Sequence, residues 1–351
     1  MPYLDRVVMR IIPDVTASLN AFLTHEIDHF PQFVPHVAVK EAAKDPHIKA
    51  VPEPLPETID FLILRLKNPH LQNLKVRQAI AHAIDKEGMR DQATYGFAKV
   101  AHSGIPSGCA WAYDTKLKEK GLFYGRDTAL ANKLLDETGY PRGADGTRFK
   151  LRLNVRKADE KLFKEAEIVK SNLREVGISV DVLGLDTAAH YDAVFIARDF
   201  DLAIDNYLVD TDPSVVNARQ YASWMIPVKS PRTNCVEYNN TEIDTIFSEA
   251  PSETDETRRR SMMVRMQELT MRDLPYIPLL EPQFVSLVWD NFVDVITSPD
   301  QRDQYEKTWY VEGNINSPGE ASLAISQAES ELNSLKAKGA DIEKALGTLR
   351  D

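Results

Sequence analysis

Five consecutive residues present the sharpest chemical possibility in the chain. His25-Glu26-Ile27-Asp28-His29 matches H-E-x-x-H. On a helix that spacing places two imidazoles on one face to bind zinc, with the glutamate as general base. It defines one expectation, a zinc metallohydrolase using His25, Glu26 and His29. Phe30-Pro31 follows directly and ends any helix there. No further motif marks the third protein ligand that a catalytic zinc takes. The other reading makes HEIDHF a turn into a strand, with Ile27 and Phe30 as core contacts. Asp210 and Asp212 offer a second possibility, a carboxylate pair for glycoside hydrolysis. In Asp-Thr-Asp-Pro, however, aspartates also bond the local backbone and build a turn. The string G-x-S-x-G, a P-loop and G-x-G-x-x-G are all missing from the sequence.

Aromatic residues interleave with polar ones in two stretches. Trp111 and Tyr113 lie within 101–113, and Tyr207, Tyr221 and Trp224 surround 209–224. Aromatic walls with a few polar groups suit a small-molecule cleft, although the same rings also suit the edge of a core. Arg258-Arg259-Arg260 is a basic triplet flanked by Glu253, Asp255 and Glu256, which reads as a solvated helix face.

The elements that must position these residues alternate between strand and helix. Residues 6–12 read as a strand, 15–23 as a helix, and the chain then returns to extended structure. A short helix is expected at 36–44 and a strong strand at 59–66. Over 73–90, Val76, Ile80, Ala83 and Ile84 form one apolar stripe, which predicts an amphipathic helix. Residues 127–138 form another, between the N-cap Asp127 and Gly139. The clearest unit is a strand at 148–155, a helix at 159–176 ended by Gly177, and a strand at 178–185. This is a parallel crossover. A helix at 187–197 and a strand at 200–208 follow, and the long loop 209–240 sits after a strand end, where α/β sheets bind ligands. Helices at 241–249 and 254–273 and strands at 276–280 and 284–289 come next. Ser317-Pro318-Gly319-Glu320 opens two tail helices as a capping box.

With 351 residues, 43% hydrophobic and 27% charged, the chain is of ordinary globular composition and long enough for about two domains. A net charge of -11 opposes binding to a phosphate backbone, so no nucleic-acid partner is expected. The two cysteines, Cys109 and Cys235, cannot build a four-thiolate zinc site, but they can form one disulfide in an oxidising compartment. No stretch of 18 apolar residues marks a transmembrane helix. The opening MPYLDRVVMRIIPDV has charges inside every apolar stretch and does not read as a signal peptide.

The stretch LKNPHLQNLKVRQAIAHAIDKEGM (66–89) resembles the signature region of family 5 extracellular solute-binding proteins, the peptide, nickel and oligosaccharide receptors of ABC importers. The likeness rests on Asn68, Val76, Arg77, Ala79, Ile80, Ala83, Ile84, Asp85 and Lys86. It continues through ALANKLLDETGYP (129–141), NLREVGISVDV (172–182), Asp212-Pro213, YNNTEIDTIF (238–247) and MQELTMRDLPYIPLL (266–280). It implies a bilobed α/β fold of the periplasmic-binding-protein type (type II, cluster C). Such a protein captures a small solute between its lobes and does not catalyse. The implied partners are an oligopeptide or oligosaccharide and a membrane permease, with no cofactor, in a periplasmic or extracellular setting where a Cys109–Cys235 disulfide would persist. The implied division is 1–70 with 284–310 as a partial first lobe, 71–283 as the second lobe and 311–351 as a helical tail. Members carry a secretion signal and an opening first-lobe segment before the 6–12 strand. The expectation is therefore a C-terminal piece with an incomplete first lobe.

Peptide-binding relatives place an aspartate shortly before the Asp/Glu-Pro pair, where it receives the peptide's α-ammonium. A gap-free match puts Val209 there. A one-residue deletion puts Asp210 there and aligns Tyr207 with the relatives' tryptophan. The second keeps both aromatic and acid, so the implied ligand contacts are Tyr207, Asp210, Asp212, Trp111 and Tyr113.

Overall fold

Asp14 accepts a hydrogen bond from the Ala17 amide and starts the first helix, as its place before an apolar run dictates. The computed structural model describes residues 4–12, 14–30, 34–42, 44–52, 58–209, 212–293, 295 and 309–310. The chain divides into two units, Met1–Pro54 with Phe284–Asp351, and Leu55–Gln283. In chain order the first unit opens with α1 (Val15–Leu23), β1 (His29–Phe30), α2 (His36–Ala42) and β2 (Ile48–Pro52). The second unit begins with β3 (Thr58–Leu64), α3 (Leu74–Ala83), α4 (Lys86–Ala93), β4 (Ala98–Val100) and α5 (Thr128–Glu137). It continues with β5 (Phe149–Arg156), α6 (Glu160–Glu175), β6 (Ile178–Leu185), α7 (Thr187–Tyr191) and β7 (Leu202–Leu208). Two short helices, α8 (Pro213–Val216) and α9 (Ala218–Tyr221), precede α10 (Thr241–Glu249), α11 (Glu256–Asp273) and β8 (Tyr276–Pro282). The chain then returns to the first unit with β9 (Val285–Trp289), β10 (Phe292–Val293) and β11 (Trp309–Tyr310).

In the first unit, β1 and β2 flank β9 in an antiparallel sheet. Residues 6–12, expected as a strand, form no ladder with any of the described residues, and Val7, Val8, Met9 and Ile11 are exposed. The 311–351 tail, with its expected helices, lies outside the described residues.

The second unit is built on a mixed six-stranded sheet in the order β4-β8-β3-β7-β5-β6. The expected crossover is present: β5 pairs in parallel with β6 and with β7, and α6 joins β5 to β6. Asp159 caps α6 by accepting from the Leu162 amide, and Gly177 ends it at φ +85°. An alanine there would strain the backbone and bring its Cβ to 2.9 Å from the Gly146 carbonyl oxygen. Strand β3 pairs antiparallel with both β7 and β8. Its side chains alternate between two cores, Leu62 and Leu64 in one, Ile59, Phe61 and Ile63 in the other. This strand was expected in the first lobe, but the division falls at Pro54/Leu55 and not at residue 70, because β3 is hydrogen-bonded on both sides inside the second unit.

The helix expected at 73–90 is two helices. Ile84 is extended, and the Asp85 side chain accepts from the Gly88 amide, which caps a new helix. The apolar stripe survives the break, because Val76, Ile80, Ala83, Ile84 and Met89 are all buried in the same core. Leu173 on α6 is fully buried in that core as well. Leu173→Asp would bury a charge without a partner, so it should destabilise the unit by roughly 4 kcal/mol or more. Chemical denaturation of the two proteins checks the assignment of this helix face.

Candidate functional site

The zinc reading fails on local geometry. Helix α1 stops at Leu23, and His25 adopts a left-handed φ of 59° in the turn that follows. Its ring stacks on Trp289 with centroids 3.8 Å apart. His29 sits in β1 opposite Val288, and burial holds its imidazole down to about 4. The two imidazoles thus belong to a turn and a strand and do not share a helical face. Among the described residues no group of three or more His, Cys, Asp or Glu could hold a metal ion. HEIDHF is a turn into a strand, with Phe30 buried.

The two aromatic loops of the second unit do come together. The 101–114 loop is held by α11 from below. Gln267 is fully buried, and its Oε1 accepts from the Ser103 hydroxyl (2.8 Å) and the Asp114 amide (3.1 Å). Its Nε2 donates to the Ala112 carbonyl (2.9 Å). Arg260 donates to the carbonyls of Ala110 (2.9 Å) and Trp111 (2.6 Å). From the sheet, Glu281 accepts from the Ser107 amide (3.0 Å) and hydroxyl (2.7 Å). Burial pushes the Glu281 carboxyl upward, and those two hydrogen bonds oppose the shift. Asn217, at the start of α9, then joins the second loop to the first by donating to the Gly104 carbonyl (2.7 Å). Gly104 is required here, because a Cβ would run into the Tyr221 hydroxyl.

Asp212 caps α8, accepting from the Ser214 amide (3.1 Å) and hydroxyl (2.6 Å). It also forms an ion pair with Arg259. The Arg259 guanidinium lies over the Trp111 ring, 5.0 Å from its centroid, and donates to the Ala250 carbonyl (3.1 Å). Trp111 and Asp212, singled out separately in the sequence, are therefore bridged by one arginine. The basic triplet is not simply a solvated face. Arg258 is, pairing at the surface with Glu253, whereas Arg259 and Arg260 organise the two loops. Tyr113 is half-buried, and burial, with Glu281 and Asp114 nearby, pushes its phenol up to about 12.

Tyr207 is elsewhere. It is buried in the core, edge-on to Phe61 (5.7 Å) and Tyr276 (5.6 Å), with its hydroxyl 3.9 Å from the Cys235 sulfur. It supports the strand below the loop and forms no cleft wall. Asp210 lies outside the described residues. No disulfide joins Cys109 to Cys235. Both side chains are buried as thiols, and burial pushes that of Cys235 up to about 12. Trp224 is exposed and Tyr221 is fully buried. Arg259, Arg260, Gln267, Asn217 and Glu281 were not singled out by sequence reasoning as loop-positioning residues. Their only signal is a long polar side chain on a helix or strand, which is ordinarily a surface signal.

Comparison with known proteins agrees with this architecture. The family model described as "Bacterial extracellular solute-binding proteins, family 5 Middle" matches residues 1–224. The chain belongs to this family. Among curated family 5 relatives, the oligopeptide-binding protein AppA of Bacillus subtilis is 26% identical over 319 residues, covering 88% of this chain and 56% of that protein. Heme-binding protein A of Haemophilus influenzae is 25% identical over 283 residues, covering 79% of this chain and 48% of that protein. The chain thus spans about half the length of these relatives. A solved structure of DppA from Helicobacter pylori in complex with the peptide STSA superposes with a TM-score of 0.73 at 24% identity. That match covers 88% of this chain and 57% of the other. It shows the expected α/β binding-protein fold.

Two outcomes follow from the loop geometry. Arg259→Ala strips Asp212, Trp111 and the Ala250 carbonyl of a shared partner, so it should lower stability by about 1–3 kcal/mol, more than Arg258→Ala does. Thermal unfolding of both variants measures the difference. Thiol titration of unreduced, denatured protein should find two reactive thiols, with Cys235 protected in the native state.

Proposed function

We propose that this chain is the solute-capturing component, or a large part of it, of an ABC importer. In this reading it works outside the cytoplasmic membrane, delivers its solute to a membrane permease and catalyses no reaction. The ligand class is an oligopeptide. The observation that carries the reading is the joining of the two aromatic loops through Arg259, which pairs with Asp212 and lies over Trp111. Val209 is buried, and Asp212 is tied to Ser214 and Arg259. Side chains already held by such contacts lose little further conformational freedom when a ligand engages them. The resemblance to peptide-binding members matches Asp210 to the aspartate that receives the peptide's α-ammonium. Trp111 and Tyr113, on the adjoining loop, supply half-buried aromatic surface for peptide side chains. Family 5 membership and the resemblance to importer receptors support capture and release by a shift between open and closed populations. No helix among the described residues is long and apolar enough to cross a membrane.

The test is calorimetric titration of the chain with a defined peptide mixture, followed by the same titration after blocking the peptide amino groups. A charge-assisted hydrogen bond to the ammonium is worth about 1.5–3 kcal/mol. Asp210→Asn should therefore weaken binding by about ten- to a hundred-fold while leaving the melting curve unchanged. Asp212→Ala should first lower stability, by about 1–2 kcal/mol, through loss of the cap and the ion pair. Unchanged affinity in Asp210→Asn would exclude the amine contact and favour an uncharged solute such as an oligosaccharide.

A further inference from the structure

The second unit contains a group of buried charges that neither the loops nor the proposed ligand contact uses. Asp60 on β3 and Glu165 on α6 have no exposed surface. Lys161, one turn before Glu165, donates to Asp60 Oδ2, and its ammonium lies 3.9 Å from Glu165 Oε1. Two carboxyls therefore share one cation. Asp60 Oδ1 and both Glu165 oxygens have no hydrogen-bond partner among the described residues, and the two carboxyls converge on the same ammonium.

The surrounding cations are engaged elsewhere. Arg156, at the end of β5, pairs with Asp159 (3.2 Å) and Asp205 (3.1 Å). Arg232 reaches Asp205 at 4.0 Å and donates to the Asn206 side chain. His190 on α7 faces Asp205 at 3.4 Å, and Arg156 and Arg232 both donate to the Tyr191 hydroxyl. From α3 and α4, Arg77 and Lys86 donate to main-chain carbonyls, and Glu87, Arg90 and Asp91 pair among themselves. On β8, Glu281 is bonded to Ser107. Apart from His190, which is a cation only when protonated, the local count is four acids (Asp60, Asp159, Glu165, Asp205) against three cations (Arg156, Lys161, Arg232).

We propose that Asp60 and Glu165 share a single proton at neutral pH, forming a switch in the core of the second unit that is released as pH rises. The proton resides on Glu165, whose hydroxyl donates to the Asp60 carboxylate, so one proton satisfies two orphaned acceptors and neutralises the cluster. When it leaves to solvent, two carboxylates remain on one ammonium in a buried site. Burial and the neighbouring carboxylate both hold the Glu165 carboxyl well above its ordinary range. A carboxyl raised in the folded state contributes stability below its unfolded pKa, and that contribution is lost as pH rises through the folded pKa. Asp60 lies opposite Asn206 of β7, the strand that leads to Val209, so the switch is felt in the strand below the candidate site.

The experiment is equilibrium unfolding of the full chain from acid to alkaline pH, with Glu165→Gln alongside. Glutamine mimics the protonated acid at every pH. Between the ordinary carboxylate pKa and that of the pair, the unfolding constant of the parent should rise about tenfold per pH unit relative to the variant. The two should agree at acid pH. An infrared spectrum gives an independent reading. The parent at neutral pH should show a protonated-carboxyl band that disappears in Glu165→Gln, and in Asp60→Asn, where Glu165 is left to pair with Lys161 as a carboxylate. Parallel unfolding curves, or a carboxyl band that persists in both variants, overturn the proposal. If neither variant folds, a parent spectrum lacking that band at neutral pH overturns it equally.

Discussion

The second unit depends on one strand being buried on both faces and bonded on both edges. Thr58–Leu64 pairs with β7 on one side and β8 on the other, and its side chains divide between two apolar cores. Such a position tolerates only a nearly continuous apolar run, and IDFLIL supplies one. The register on β7 then sets where Val209 emerges, and the register on β8 sets where Glu281 meets Ser107. A slip of one residue would exchange the two cores and carry Asp60 to the opposite face.

From that frame the candidate site is assembled by α11. Three of its residues, Arg259, Arg260 and Gln267, reach across to the two aromatic loops and satisfy backbone carbonyls and a capping aspartate. Loops at functional sites need fixed geometry with little core of their own, and long polar side chains on a well-packed helix provide it. Met263, Met266 and Leu269 bury the same helix in the aromatic core that contains Tyr207 and Tyr276. The helix that anchors the loops is therefore itself anchored by packing. Tyr207 contributes from inside that core.

The buried acids follow a different logic. Polar groups in a low-dielectric interior are costly unless paired, and a cluster with one acid too many is neutral only with a proton. Asp205 and Asp60 lie on neighbouring central strands, β7 and β3, so the same strands carry both these buried charges and the approach to Val209.

Much of the framework was legible in the sequence, for local reasons. Asp127 and Asp159 announced helix starts, Gly139 and Gly177 announced helix ends by their left-handed backbone, and alternation in RFKLRLNV announced β5. The family resemblance was carried by the same region, where spacing and residue type coincide. What the sequence could not decide was anything set by partners far away in the chain. The break at Ile84–Asp85 was hidden because an apolar stripe runs across it, and a capping aspartate in mid-stripe looks like any surface acid. Residues 6–12 had strand composition, but no ladder among the described residues takes them up. The position of β3 in the larger sheet, the burial of Tyr207, and the reach of Arg259 from one helix to a turn 47 residues away are properties of tertiary contact alone. Local propensity operates over a few residues and can be read in one dimension. Packing selects among the arrangements that those propensities leave open, and only the folded chain records its choice.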